Sequence, residues 1–284
     1  MRGAGSVWLI SGMEFYDTHA HLGWKDFDGD RDALLERAQA AGISRVVSIG
    51  TDLETSRAAI GFAEKYDGVF AAVGWHPSDA MEAPADFGVE LRKLATHPKV
   101  VAIGEAGLDY FRLPTKNGGT LEEDTAIKKR QAEVLVEQLE IASELGLNCV
   151  IHTRESFADT LEIVRRYAGK VRTVFHCFVE EHAKMEAVLA VGGLVSFTGI
   201  CTFKNAQLIR DTIEATPLDK LMLETDSPFL APIPYRGKRC EPAYVKEISE
   251  AVAALKKCTL AELSHATCAN AAQFFPKMVT SGKI

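Results

Sequence analysis

The sequence predicts one α/β domain of the (β/α)8 barrel class with an extra C-terminal helix. Three observations predict it. Eight short runs of near-continuous apolar residues recur along the chain, each followed by a segment with apolar positions at helical spacing. Runs without polar alternation are what a parallel sheet covered by helices requires, and eight strand-helix units close into a barrel. Histidines and carboxylates gather at the ends of the runs, where such barrels open onto a single mouth. A doubly wound open sheet is the alternative fold, but the first strand-helix turn carries no G-x-G-x-x-G.

The first strand lies in E-F-Y-D-T-H-A-H-L, residues 14–22. Residues two apart on an extended strand project to one side, so His19 and His21 point the same way. Residues 30–41 carry Ala33, Leu34, Ala38 and Ala41 at helical spacing and stop at Gly42, a good C-cap. Residues 45–50 read as a buried strand, and Asp52 caps a helix running to about Tyr66. Gly68 punctuates before a third strand, 69–75, which ends in G-W-H-P. A helix at 87–96 precedes strand four, 100–105, then A-G-L-D-Y and a polar loop at 112–119. The longest helix, 124–145, ends at Gly146. Strands at 148–152, 173–177, 193–198 and 221–224 alternate with helices at 156–167, 180–191 and 205–215. A loop through P-I-P-Y-R-G-K-R leads to helices at 242–256 and 260–274.

With 284 residues, 47% hydrophobic and 25% charged, the chain can bury a large core. The barrel is expected over 14–276, between an N-terminal extension at 1–13 and a tail at 277–284. A formal net charge of -7 offers no overall attraction for nucleic acid or anionic membrane, so phosphate binding would need a local patch. Six scattered cysteines with no C-x-x-C pair argue against a zinc ribbon and a disulfide framework. The apolar run Val7-Trp8-Leu9-Ile10 is too short for a secretory or membrane segment. The expectation is a cytoplasmic protein, monomeric, with no membrane partner, whose first dozen residues are a frayed extension.

Two imidazoles aimed into one space beside a carboxylate suit a divalent metal. Strand one ends in His19 and His21, strand three in His76, strand four in Glu105, strand five in His152, strand six in His176 and strand eight in Asp226. Alone, each is equally at home as a core histidine, a cap or an ion-pair member. Together, four histidines and two carboxylates converge from five strands, and chance assembly becomes the less economical account. Six ligands exceed what one tetrahedral ion needs, so two divalent ions sharing a carboxylate are expected. Glu105 is the natural bridge, with His19, His21 and Asp226 on one ion and His152 and His176 on the other. Water held between two cations yields hydroxide near neutral pH, which makes hydrolysis the expected reaction.

D-T-H-A-H-L (17–22), G-W-H-P (74–77), I-G-E-A-G-L-D-Y (103–110), V-I-H-T-R (150–154), H-C-F (176–178), S-F-T-G (196–199), E-T-D-S-P (224–228) and R-G-K-R-C-E-P (236–242) together resemble the TatD-type metal-dependent deoxyribonucleases. The resemblance runs from about Phe15 to Phe275. It implies a divalent-metal exonuclease linked to DNA repair or turnover, with His19, His21, Glu105, His152, His176 and Asp226 as ligands and His76 near the scissile phosphate. It also implies 3'-5' polarity and assay with magnesium, whereas four imidazoles favour zinc or manganese. One departure is Cys240, where the family usually shows Asn.

For the substrate, Arg154, Arg236, Lys238 and Arg239 place cations at the strand ends, and guanidinium matches phosphate well. The bland reading of the 236–239 loop is a solvated basic turn. Tyr110, Phe111 and Phe178 are candidates to stack on splayed bases. An acidic protein with one basic rim suits single-stranded or frayed DNA ends better than long duplex. The catalytic set expected is Asp226, Glu105, His76 and Arg154, with Asp226 relaying a proton and Arg154 holding a non-bridging oxygen. Two rivals remain: an amide or ester hydrolase, such as an aminoacyl-tRNA deacylase, and a non-enzymatic binding barrel with structural metals.

Overall fold

A computed structural model describes residues 13–278. Among these, eight strands are β1 (Phe15–Ala20), β2 (Ile43–Ile49), β3 (Val69–Val73), β4 (Val100–Asp109), β5 (Asn148–Arg154), β6 (Thr173–Phe175), β7 (Leu194–Phe197) and β8 (Leu221–Leu223). The helices are α1 (Arg31–Ala40), α2 (Leu53–Lys65), α3 (Phe87–Ala95), α4 (Leu121–Leu145), α5 (Phe157–Arg165), α6 (His182–Ala190), α7 (Gln207–Ala215), α8 (Val245–Lys256) and α9 (Leu260–Phe274). The strands form one parallel sheet in the order β1 to β8. This is the (β/α)8 barrel, with α9 as the extra C-terminal helix. No helix among the described residues is long and apolar enough to cross a membrane.

The sheet closes between β8 and β1 through the residues just past each strand. The Asp226 N–H donates to the His19 carbonyl at 2.9 Å and the His21 N–H to the Ser227 carbonyl at 2.8 Å. Below them the buried Asp17 carboxylate accepts from the Thr225 N–H at 2.9 Å and the Thr225 hydroxyl at 2.5 Å. Burial pushes the Asp17 carboxyl up to about 8, against the lowering effect of its bonds to Thr225 and His19. The seam of the barrel thus runs through two of the segments that carry histidines and carboxylates to the mouth.

Two cores flank the sheet. The larger packs strands against the surrounding helices. The smaller fills the barrel's lower end, where Tyr16, Phe70, Val101, Val174 and Met222 meet Phe274, Phe275 and Met278. This plug explains a departure from the expected boundary at residue 276. Met278 is buried, and its carbonyl accepts from Arg45 Nη1 at 2.6 Å, so the chain stays with the barrel at least that far. The remaining expected tail and residues 1–12 of the expected extension lie outside the described residues.

Several elements are longer than their patterns suggested, α4 and β4 among them. Thr120 and Glu123 form a reciprocal capping box, which starts α4 at Leu121. β4 continues through A-G-L-D to Asp109, because Ala106 to Asp109 pair with Ile151 to Arg154 of β5. Gly107 makes this possible: a Cβ there would sit inside contact distance of the His152 carbonyl oxygen. Gly107→Ala is accordingly expected to destabilise the fold by about 1–3 kcal/mol through overpacking. A thermal melt followed by circular dichroism checks this, and an unchanged Tm would refute it.

Candidate metal centre

β4 carries Glu105 to the centre of the mouth, where its carboxylate is only 3% exposed. Its two oxygens face different imidazoles. Oε2 lies 3.3 Å from His19 Nε2 and 3.6 Å from His21 Nε2. Oε1 lies 2.7 Å from both His152 Nδ1 and His176 Nε2, and 3.4 Å from His76 Nε2. Asp226, arriving from β8, puts Oδ1 3.6 Å from His19 Nε2 and 3.3 Å from His21 Nε2. Those two nitrogens are themselves 3.4 Å apart.

These spacings fit a bound cation. Four donors about 2.0–2.2 Å from one tetrahedral ion stand about 3.3–3.6 Å apart along the tetrahedron's edges. The distances from His19 and His21 to each other, to Glu105 and to Asp226 fall in that range. His152 Nδ1 and His176 Nε2, 3.3 Å apart, form a second donor set around the other Glu105 oxygen. Nitrogen lone pairs converging on carboxylates need a positive charge between them, whether protons or a metal. Glu105 and Asp226 show the first case. Burial alone would raise both carboxyls, but His176, His76 and His152 hold Glu105 well below its ordinary value, and His21 and His19 lower Asp226.

Side chains behind the donors orient them. Asp109 Oδ2 is 3.2 Å from His152 Nε2, which places the ring proton there and leaves Nδ1 free toward Glu105. Glu224 accepts from the Cys177 N–H at 2.6 Å and the Ser196 hydroxyl at 2.7 Å. It also lies 3.5 Å from His176 Nδ1. His76 differs from the other imidazoles. Its Nδ1 accepts from the Ser78 N–H at 3.1 Å, so in the neutral ring the proton sits on Nε2, making it a donor toward the cavity. Cys177 and Asp226 stand at φ 45° and 56°, left-handed conformations that cost about 1–3 kcal/mol each and cluster at functional sites.

The cluster forms the floor of a cavity of about 670 Å³, within the range of small-ligand sites. His21, His76, Glu105, His152, His176 and Asp226 line it, with Asp109, Arg112 and Arg154 on one side and Trp24, Ile200, Phe229 and Leu230 among its other walls. The remaining expected site residues are elsewhere. Arg239 is spent on Asp30, at 2.6 Å, and on the Asp26 carbonyl, tying the 236–240 loop to the start of α1. Arg236 and Lys238 are exposed and do not line the cavity; the Arg236 guanidinium lies over Phe203. Tyr110 is buried, its hydroxyl donating to Asp159, and Phe178 packs in the core against Phe157 and Phe197. Cys240 is fully buried, and burial pushes its thiol up.

Sequence reasoning passed over Asp109, Glu224, Arg112, Trp24 and Phe229. A signal existed for Asp109: it follows Glu105 by four residues, which keeps one side of a strand once β4 is extended that far. For Glu224 the motif E-T-D-S-P held both carboxylates, but nothing in it separated an orienting from a ligating role.

Barrel and cluster together define the class: a metal-dependent hydrolase with its centre at the C-terminal mouth of the strands. The chain belongs to the TatD-related DNase family, whose model matches residues 16–276. A Bacillus subtilis relative named as the uncharacterized metal-dependent hydrolase YabD is 38% identical over 261 residues, 92% of this chain and 98% of its own. The protein named 3'-5' ssDNA/RNA exonuclease TatD from Cronobacter sakazakii is 35% identical over 269 residues, covering 92% of this chain and 98% of that one. The crystal structure of YJJV, a TatD homolog from Escherichia coli, superposes with a TM-score of 0.84 at 27% identity, over 92% of this chain and 98% of its own.

Two substitutions probe the centre. Glu105→Ala removes the carboxylate shared by both donor sets, and the purified variant should retain less than half the metal of the wild type by elemental analysis. Glu224→Gln should weaken metal affinity about 10–100-fold in a chelator competition while keeping the fold. Equal metal content in Glu105→Ala would contradict the assignment of Glu105 as the common ligand.

Proposed function

We propose that this chain is a divalent-metal-dependent deoxyribonuclease that removes nucleotides from the 3' end of single-stranded or frayed DNA. Two ions would be held by His19, His21 and Asp226 and by His152 and His176, with Glu105 common to both. The observation that carries the reading is Arg154 beside this cluster. It lines the cavity, lies 3.5 Å above the Phe111 ring, and makes no salt bridge among the described residues. A guanidinium at a metal centre with no salt bridge of its own suits a substrate that brings its own negative charge. Arg112, on the same side, adds a second positive charge. The exonuclease named among the relatives supports both substrate and polarity.

Divalent ions bound there supply Lewis acidity, lowering the pKa of water and offsetting charge on phosphate oxygens. The chain's own groups do the rest. Arg154 holds a non-bridging oxygen and orients the phosphodiester. His76, with its proton on Nε2, donates to a phosphate oxygen or to the departing 3' oxygen of the shortened strand. Asp226, kept ionised by His21 and His19, is a proton acceptor at the floor of the cavity as well as a ligand. An uncharged amide or ester would give Arg154 and Arg112 no charged group to hold.

Incubation with 5'-labelled single-stranded DNA and magnesium or manganese is expected to give a ladder of shortened products that EDTA abolishes. Arg154→Ala is expected to lower kcat/KM about 10–100-fold, the loss of one charge-assisted contact to the reacting group. A wild-type protein that releases no nucleotide but turns over neutral esters would replace this reading with the amide or ester hydrolase.

A further inference from the structure

The mouth of the barrel has two chemically different sides. Arg112 and Arg154 stand on the side of β4 and β5, and Trp24 and Phe229 on the side of β8 and β1. Trp24 is 47% exposed and Phe229 40%, two large aromatic surfaces left to water at the rim of a charged site. Their rings meet at 84° with centroids 5.0 Å apart, and Phe229 lies 6.2 Å from the His21 ring. Both are anchored to the cluster by the same local device. The Trp24 N–H donates to the His21 carbonyl at 3.1 Å, and the Phe229 N–H to the Asp226 carbonyl at 3.0 Å. Each aromatic residue is therefore positioned three residues after a residue of the metal centre, by a turn that starts on it.

The geometry points to Trp24 and Phe229 as a binding subsite for one nucleobase of the substrate strand. This rests on the nuclease reading above and deepens it. A base that stacks flat on one ring meets the other almost perpendicular, an arrangement open to any base and selective for none. With phosphate held on the floor and against Arg154, the adjoining nucleoside turned toward β1 and β8 meets these rings. Of the aromatic residues first suggested by the sequence, Tyr110 and Phe178 are buried, and Phe111 is exposed but lies under the Arg154 guanidinium and does not line the cavity. Leu230, Ile200 and Val179 extend the apolar wall beside the pair.

The test uses the full-length, manganese-loaded protein on 5'-labelled oligo(dT) ending either in thymidine or in an abasic tetrahydrofuran residue. Wild type should remove the terminal thymidylate about tenfold more efficiently, mostly through KM, the worth of one stacked base. In Trp24→Ala and Phe229→Ala that ratio should fall toward one, and Trp24→Phe should restore most of it. Independently of turnover, oligo(dT) added to the metal-free protein should quench tryptophan emission, and the quenching should be lost in Trp24→Phe. Cleavage by wild type with the same base-to-abasic ratio in both alanine variants would overturn the subsite and leave the nuclease reading standing. No cleavage of either oligonucleotide would defeat that reading, and this subsite with it.

Discussion

A carboxylate buried at the axis of a barrel is the constraint around which this protein is arranged. Glu105 sits almost out of contact with water, and an isolated charge in that position would be expensive. Its cost is offset because the ends of β1, β3, β5 and β6 deliver imidazoles to both of its oxygens. The imidazoles in turn need a cation among their lone pairs, so the arrangement is complete only when positive charge is present. A metal-dependent hydrolase of the TatD family is the outcome of that requirement as much as of ancestry.

The same residues close the fold. Asp226 and Ser227 reach across to His19 and His21 through backbone hydrogen bonds, and Thr225 staples its strand end to Asp17 below. Assembly of the site and closure of the barrel are therefore one event on this side of the molecule. The left-handed backbone at Cys177 and Asp226 belongs to this economy. It is tolerated because the Cys177 amide is held by Glu224 and the Asp226 amide by His19. The apolar plug of Phe274, Phe275 and Met278 at the opposite end contributes stability where no chemistry takes place.

Charge at the mouth is organised locally against an acidic whole. The chain carries a formal charge of -7, and many surface cations are matched with neighbouring carboxylates, as Arg239 is with Asp30. Arg154 makes no salt bridge among the described residues, and it stands next to the cluster. A phosphate-bearing end would be attracted only over this small region, which favours short engagement over sliding along duplex.

The chain's periodicities were enough to determine the barrel, the order of its elements and the strand ends that carry the six donor residues. Near-continuous apolar runs have few other uses, and a strand end in a barrel has a known address. What lay beyond one dimension was which side chains are free. Arg239 and Arg154 read alike in sequence, yet one finds Asp30 and the other faces the cavity. Of the three rings that read as available, Tyr110 and Phe178 are buried and Phe111 is exposed but carries the Arg154 guanidinium over its ring, whereas Trp24 and Phe229 are exposed and line the cavity. Register made Asp109 and Glu224 orienting partners of His152 and His176, because pairing between distant strands, not local pattern, sets such distances. Composition and spacing determine which groups reach the mouth; only the packed tertiary structure decides which of them are already satisfied and which remain open to a substrate.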